Sequence, residues 1–173
     1  MILDVLIPIA SQRFLPQIVF DSLLVQGYPM RFFMSNVIGD CPINARESVK
    51  QMWQASEPSA PYTLMSDNDI ILNKGTLDVM LKFLEDNEDF AGIGLQRGEA
   101  PAGEPTEAIE PEHVSAGPIL YRSEIYKQIS YYSESDGCDC LRQGTAIRNL
   151  GHRIGFLCGV SYQHIQDTNL PKM

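Results

Sequence analysis

The segment YTLMSDNDIIL, residues 62–72, places two carboxylates two positions apart between apolar runs. The first run, Tyr62–Ser66, has the composition of a buried β-strand, and Asn73 follows the second run as the predicted cap of a helix. Carboxylates near a core are unfavourable unless they form ion pairs, accept backbone hydrogen bonds or hold a cation. We therefore expect the chemistry of the chain at Asp67–Asn68–Asp69. Capping of the following turn is the commoner role of an isolated Asp-x-Asp pair, and it stays open at this point.

Composition limits the classes of function. The chain has 173 residues, of which 44% are hydrophobic and 20% charged, as expected for one globular domain. The net charge of −9 argues against nucleic-acid binding and against binding to anionic membrane surfaces, both of which depend on Lys and Arg. A negatively charged substrate would then require a metal ion or a local pocket of Arg and Lys.

The four cysteines predict reduced thiols and not a structural metal site. Cys138 and Cys140 are separated by one residue, which is shorter than the usual spacing of a zinc knuckle. The N-terminus has no basic segment before an apolar one, and no apolar run approaches the length of a membrane span. We expect a cytoplasmic protein without a membrane span, and a homodimer is the default expectation for its assembly.

The first half of the chain alternates between segments with the hydrophobic pattern of a strand and segments with that of a helix. Strands are predicted over Ile2–Ile9, Arg31–Met34, Tyr62–Ser66 and Phe90–Leu95. Helices are predicted between them, after Pro16, from a capping box of Asn44 and Glu47, and after Asn73. Successive strand–helix units predict a single α/β domain, with a mixed, mostly parallel central sheet flanked by helices.

The second half has a different pattern. Gly98–Glu112 is rich in Pro, Gly and Glu without periodicity and predicts a long mobile loop, which either closes over a ligand or is a plain surface excursion. The segments after it predict a strand, a short helix begun by Ser123, a second helix and two closing strands, over Val114–Arg122, Ser123–Ile129, Leu141–Leu150, Arg153–Cys158 and Val160–Gln163.

The order of these features resembles the GT-A type glycosyltransferases, in particular family 2. The motifs that carry the resemblance run through nearly the whole chain: Val5–Ser11, Asn44-Ala45-Arg46, Leu64–Asp69, Ala116–Arg122, Gly137-Cys138-Asp139, Gly151–Ile154 and a closing His164. The resemblance implies one minimal domain over residues 1–173, with a nucleotide-binding half (1–96), a mobile loop (97–113) and an acceptor half (114–173).

The resemblance also implies a reaction. A sugar is transferred from a UDP- or GDP-linked donor to a glycan or other hydroxyl acceptor, with inversion at the anomeric carbon. Asp69 and His164 would hold Mn²⁺ or Mg²⁺, and Asp139 would be the catalytic base. The donor would be bound by residues from the first half: Pro8, Ala10, Arg13, Asn36, Arg46, Asp67 and Asn68. Taken alone, a single His is more often a satisfied residue than a metal ligand.

The sequence departs from the family pattern at two places. Ser35-Asn36 stands where the family ends its second strand in an acidic pair, and Cys138 stands where the family has Glu before the base. The spacing from Asp139 to Gly151 also differs slightly from the family pattern, so Asp136 is a rival base. Ser35 and Cys138 favour the main alternative, a non-catalytic GT-A-like protein that binds a nucleotide or a glycan. A nucleotidyltransferase is a weaker alternative, because Ser11–Arg13 stands where a Gly-rich phosphate loop with Lys would be expected.

Overall fold

The computed structural model describes residues 1–10, 15–37, 42–114, 117–129 and 138–165. Ala10, Asn36, Val37, residues 42–44 and Asp139 are described by their backbone only. The strands are β1 Leu3–Ala10, β2 Met30–Val37, β3 Tyr62–Met65, β4 Ile70–Ile71, β5 Phe90–Arg97, β6 Ala108–Ile109, β7 Ile119–Arg122 and β8 Arg153–His164. The helices are α1 Gln17–Leu24, α2 Pro42–Ala55, α3 Thr76–Asp86, α4 Ser123–Tyr126 and α5 Asp139–Asn149.

The strands form one mixed sheet in the order β2-β1-β3-β7-β5-β8-β4, and β6 pairs with β8. The long strands β1, β2, β5 and β8 run in the same direction as β3, whereas the short strands β4, β6 and β7 run against them. The predicted α/β class and the mostly parallel sheet are confirmed. Since β1, β2 and β3 are parallel neighbours, their carboxyl ends share one edge of the sheet, which is where open α/β sheets bind ligands.

Alternation along the strands builds a core on each face of the sheet. Val5 and Ile7 of β1 pack with the buried stripe of α3, whereas Leu6 packs on the other face with Val49 and Trp53 of α2. The second face also holds buried residues of α4 and α5, namely Ile125, Tyr126 and Ile147. Two apolar layers therefore fix the sheet between helices, and the carboxyl edge of β3 is held by packing from both sides.

Three predicted helix starts are wrong in their capping residue. Helix α2 begins at Pro42, so Asn44 lies inside its first turn and not before it. Helix α3 begins after Gly75, whose φ of 83° suits glycine, and not at Asn73. The hydroxyl of Ser123 lies 2.7 Å from Thr63 Oγ1, which ties α4 to β3 in place of capping the helix. At Ser123 the local capping pattern gave way to a tertiary contact.

Three further expectations about the second half are corrected. The two predicted closing strands are one strand, β8, which continues through Gly159 at a φ of 67°. Strand β7 occupies only the end of the predicted Val114–Arg122 strand. The 98–112 segment is not structureless: it contains β6, and Cys158 N of β8 donates a hydrogen bond to its Glu107 O at 3.0 Å. Its mobility stays a prediction.

Candidate functional site

The Asp-x-Asp turn is fixed by the strand that precedes it and the strand that follows it. Strand β3 ends at Met65, and the amide of buried Ser66 still donates to Leu6 O of β1 at 3.0 Å. Strand β4 begins at Ile70, directly after Asp69. The two aspartates therefore occupy a short turn at the carboxyl edge of the sheet, as the sequence predicted.

Asp67 forms an ion pair with Arg46 from α2. The Nη2 atom of Arg46 lies 3.0 Å from Oδ1 and 3.1 Å from Oδ2 of Asp67. The Arg46 side chain is 11% exposed and the Asp67 side chain 31% exposed, so the carboxylate keeps an open side. Arg46 and Asp67, both predicted donor-binding residues, are thus brought into direct contact.

Gly117 packs directly against Asp67. A side chain at position 117 would place its Cβ 3.3 Å from the Asp67 amide nitrogen and 3.4 Å from its carboxylate. Contacts this short are tighter than ordinary packing, so the absence of a side chain lets the segment before β7 lie against the acidic turn. The motif around Gly117 resembles a motif of the GT-A family, and the sequence alone does not predict its contact with Asp67.

Asp69 is paired with His164, the last residue of β8. His164 Nε2 lies 3.0 Å from Asp69 Oδ2, and the side chains are 11% and 23% exposed. The pairing of β4 with β8 explains this contact, because Ile70 is in register with His164 and Ile165 N donates to Asp69 O at 2.9 Å. The two-residue strand β4 thus brings together two side chains that are 95 residues apart in the sequence. In the sequence near Asp69, only the Ile-Ile pair suggests such a strand.

The Asp69–His164 pair fits a divalent metal ion in its donor atoms and its spacing. Neighbouring ligands of an octahedral ion with bonds of about 2.1 Å lie about 3.0 Å apart. The observed distance between the carboxylate oxygen and the imidazole nitrogen is 3.0 Å. Mg²⁺ and Mn²⁺ accept carboxylate oxygen together with water and phosphate oxygens, so two protein ligands at an open edge suffice.

The other predicted donor-binding residues are less informative. Pro8 is buried in β1, in register with Ser35 of β2, and Asn68 is 8% exposed beside the two aspartates. The backbones of Ala10 and Asn36 lie at the carboxyl ends of β1 and β2, on the same edge as the acidic turn. Arg13 lies outside the described residues.

Ser35 has a structural partner. Its hydroxyl donates to Ala45 O of α2 at 2.8 Å, and the residue is 6% exposed. The serine that replaces the family's acidic residue therefore joins the end of β2 to the start of α2, next to Arg46.

The predicted base, Asp139, is the first residue of α5, and the rival Asp136 lies outside the described residues. Helix α5 is held against the sheet by buried Ile147 and by a hydrogen bond from Gln143 Nε2 to the Tyr121 hydroxyl of β7. Because β7 neighbours β3, the helix is anchored to the part of the sheet that carries the acidic turn. The side chain of Asp139 itself is not described, so its role stays a prediction.

The fold of the chain, with the acidic turn at the carboxyl edge of its sheet, is similar to that of several solved structures. Comparison with protein-family models and with curated proteins found no match to the sequence. Solved structures do match: S. aureus TarS, residues 1–349, is similar with a TM-score of 0.64 and 17% identity over 94% of this chain. The mannosyltransferase PcManGT from Pyrobaculum calidifontis, in complex with GDP-Man and Mn²⁺, is similar with a TM-score of 0.62 and 12% identity over 92% of this chain. A197 from STIV is similar with a TM-score of 0.64 and 13% identity over 95%.

These similarities establish the fold, and the resemblance noted in the sequence is confirmed at that level. The chain spans 59% of the TarS fragment, 55% of PcManGT and 85% of A197. TarS has also been solved in complex with UDP-GlcNAc, and that structure matches with a TM-score of 0.62 and 16% identity. Across the described part of the chain, no helix is both long and apolar enough to cross a lipid bilayer.

Proposed function

We propose that the chain is a metal-dependent, inverting glycosyltransferase of the family 2 type, with a nucleotide-diphosphate sugar as donor. The proposal rests on the different partners of the two aspartates: Asp69 pairs with His164, and Asp67 pairs with Arg46. Two solved structures with the same fold hold UDP-GlcNAc, or GDP-Man with Mn²⁺. A UDP- or GDP-linked sugar is therefore the donor class to test.

Each residue has a distinct role in this proposal. Asp69 and His164 hold the divalent ion, which when bound supplies the Lewis acid for the diphosphate leaving group. Asp67 contacts the ribose or the donor sugar through its exposed side. Arg46 keeps that carboxylate oriented and adds one positive charge at the edge of the sheet, in a chain whose net charge is −9.

In the proposed transfer step, Asp139 acts on the side of the anomeric carbon opposite the leaving group. The acceptor hydroxyl oxygen forms a bond to the anomeric carbon as the bond from that carbon to the diphosphate oxygen breaks. Asp139 takes the hydroxyl proton, and the nucleoside diphosphate leaves with the bonding electron pair. One in-line displacement inverts the anomeric configuration.

A non-catalytic nucleotide- or glycan-binding protein is the second candidate. The observation that favours it is the use of Ser35 as a link to Ala45 O, which leaves no carboxylate at that position. Both candidates predict nucleotide binding, and only the first predicts release of the nucleoside diphosphate and transfer of the sugar.

The test is a thermal-shift screen of UDP, GDP and their sugars, with and without Mn²⁺, followed by assays of nucleotide release with the donor that binds. Ligands that bind only the folded state raise the melting temperature. Asp139→Asn should bind donor and Mn²⁺ as the wild type does and lose turnover by at least about 100-fold.

Asp86→Asn is the matched control, because Asp86 is exposed on α3 in an i,i+4 pair with Lys82. It should retain full turnover. If Asp139→Asn keeps wild-type turnover, the base is assigned wrongly. If donor binding is identical with and without Mn²⁺, the metal role of Asp69 and His164 is excluded.

A further inference from the structure

A second group of side chains with metal-ligating atoms shares no residue with the Asp69–His164 pair. His113, Cys138 and Cys140 each offer one ligand atom, and these atoms all lie within 4.8 Å of one another. Cys138 Sγ and His113 Nε2 lie 3.1 Å apart. Cys138 is exposed and Cys140 is partly buried, so the group is open to solvent from one side.

The three residues come from helix α5 and from the segment before β7, which hydrogen bonds of Arg148 already hold together. Cys138 is the N-cap of α5, and Cys140 lies in the first turn of that helix. His113 belongs to the segment before β7, where Arg148 of α5 donates to Glu112 O at 3.1 Å and to Pro111 O at 2.6 Å. Val114, the next residue, is 1% exposed in the core. The histidine is therefore fixed beside the helix that carries both cysteines.

We propose that His113, Cys138 and Cys140 bind one Zn²⁺ ion. A tetrahedral zinc site with bonds of about 2.3 Å to sulfur and about 2.0 Å to nitrogen separates its ligand atoms by about 3.5–3.8 Å. One separation is 3.1 Å and none exceeds 4.8 Å, so small side-chain rotations would bring all three atoms onto one ion. Three protein ligands leave the fourth position to water or to another ligand.

The ligand types separate this site from the Asp69–His164 pair. Thiolate sulfur is a soft ligand that selects zinc over Mg²⁺ and Mn²⁺, whereas carboxylate oxygen suits the harder ions. The single residue between Cys138 and Cys140 argued against zinc in the sequence. The third ligand, His113, comes from 25 residues before Cys138 and has no part in that spacing. Since the cysteines flank Asp139, the ion also fixes the backbone at the predicted base; this last consequence alone rests on the proposed function.

The test uses the full chain, reduced, metal-free and without a histidine tag. Titration with Co²⁺ should give one equivalent of a complex with sulfur-to-cobalt charge-transfer absorption, and one equivalent of Zn²⁺ should remove that absorption. Cys138→Ser, Cys140→Ser and His113→Ala should each weaken Zn²⁺ binding at least about tenfold in competition with a chromophoric chelator. Cys138 and His113 are exposed, so the metal-free melting temperature of these variants should match that of the wild type.

Two controls decide the assignment. Cys158→Ser removes a buried thiol outside the group and should keep the charge-transfer absorption. Asp69→Ala should also keep the charge-transfer absorption, because Asp69 pairs with His164 and does not belong to the cysteine group. Cobalt binding without sulfur-to-cobalt absorption, or equal loss in Cys158→Ser, overturns the zinc site. Neither result affects Mn²⁺-dependent nucleotide binding, so failure here is distinguishable from failure of the proposed glycosyltransferase.

Discussion

Asp4 and Asp67 are both paired with arginine, and the difference between their surroundings separates a structural carboxylate from a candidate functional one. Asp4 is fully buried near the start of β1, where it accepts from Arg31 Nε at 2.7 Å, Arg31 Nη2 at 2.9 Å and Trp53 Nε1 at 2.8 Å. Asp67 lies past the end of β3, accepts from one nitrogen of Arg46, and is 31% exposed. Asp4 has no exposed side on which a ligand could bind, whereas the partly exposed carboxylate of Asp67 has one.

The two aspartates also lie at opposite edges of the parallel strands. Asp4 is in register with Thr63 near the start of β3, and Asp67 comes after the end of that strand. Ligands of open α/β sheets bind at the carboxyl edge, so the position and the exposure of the two carboxylates lead to the same conclusion. Stability should depend on the edge that carries Asp4, and ligand binding on the edge that carries Asp67.

The largest expected effect is on stability, from Asp4→Ala. The substitution leaves the buried Trp53 Nε1 without its partner and opens a small cavity, which should lower the free energy of unfolding by about 3 kcal/mol. For a chain of this length the melting temperature should fall by about 6–12 °C. Asp86→Ala, in an exposed pair, should cost less than about 0.5 kcal/mol. A loss below 1 kcal/mol for Asp4→Ala would contradict the structural role.

The next effect is on binding, from Asp69→Ala. Loss of one of the two proposed protein ligands should weaken Mn²⁺-dependent nucleotide binding by at least about 100-fold, or about 2.7 kcal/mol. The melting temperature without ligand should change by only about 2 °C, because the pair is partly exposed. Isothermal titration with and without Mn²⁺ measures the first quantity. A large fall in melting temperature with unchanged affinity would place Asp69 with Asp4 as a structural residue.

Lys50 provides a pH-dependent test of burial on the helix that carries Arg46. It is 1% exposed, donates to Ile129 O, and lies 4.5 Å from the centre of the Tyr126 ring. Burial lowers the pKa of Lys50 to about 8. Between pH 8 and the unfolded value of 10.5 the unfolded chain binds more protons, so the contribution of Lys50 to stability rises with pH across that window.

Lys50→Met should remove this dependence. From pH 7.5 to 9.5 the wild type should gain about 1–2 kcal/mol relative to Lys50→Met, as measured by urea unfolding at each pH. Lys82→Met, at an exposed position of α3, should follow the wild type over this range. Parallel stability curves for the wild type and Lys50→Met would show that Lys50 keeps an ordinary pKa in the folded chain.

Local patterns predicted most of the fold, because the strands and helices of the first half have clear hydrophobic periods. The acidic turn could be predicted for the same reason, since it interrupts an apolar strand at Asp67. The partners of that turn were available only from the motifs: His164 reaches Asp69 through β4, a strand of two residues. No periodicity can be read from two residues, and a contact between distant segments has no local pattern.

The capping errors have a related cause. Asn44, Asn73 and Ser123 all have suitable side chains for caps, and each predicted helix forms. The starts differ because Ser123 bonds to Thr63 on a neighbouring strand, and because a glycine with positive φ precedes α3. Tertiary contacts and backbone conformation decide between starts that local propensity leaves nearly equal in free energy.

Ser35 gives the smallest predicted effect and the sharpest test of the carboxyl edge. Because its hydroxyl donates to Ala45 O, Ser35→Ala should lower the free energy of unfolding by about 1 kcal/mol and leave nucleotide affinity unchanged within about twofold. Ser56→Ala is a matched control, since Ser56 donates to Trp53 O at 2.7 Å at the other end of α2. If Ser35→Ala alone weakens nucleotide binding about tenfold, Ser35 contacts the donor, and the position has kept the binding role of the family's acidic residue without its charge.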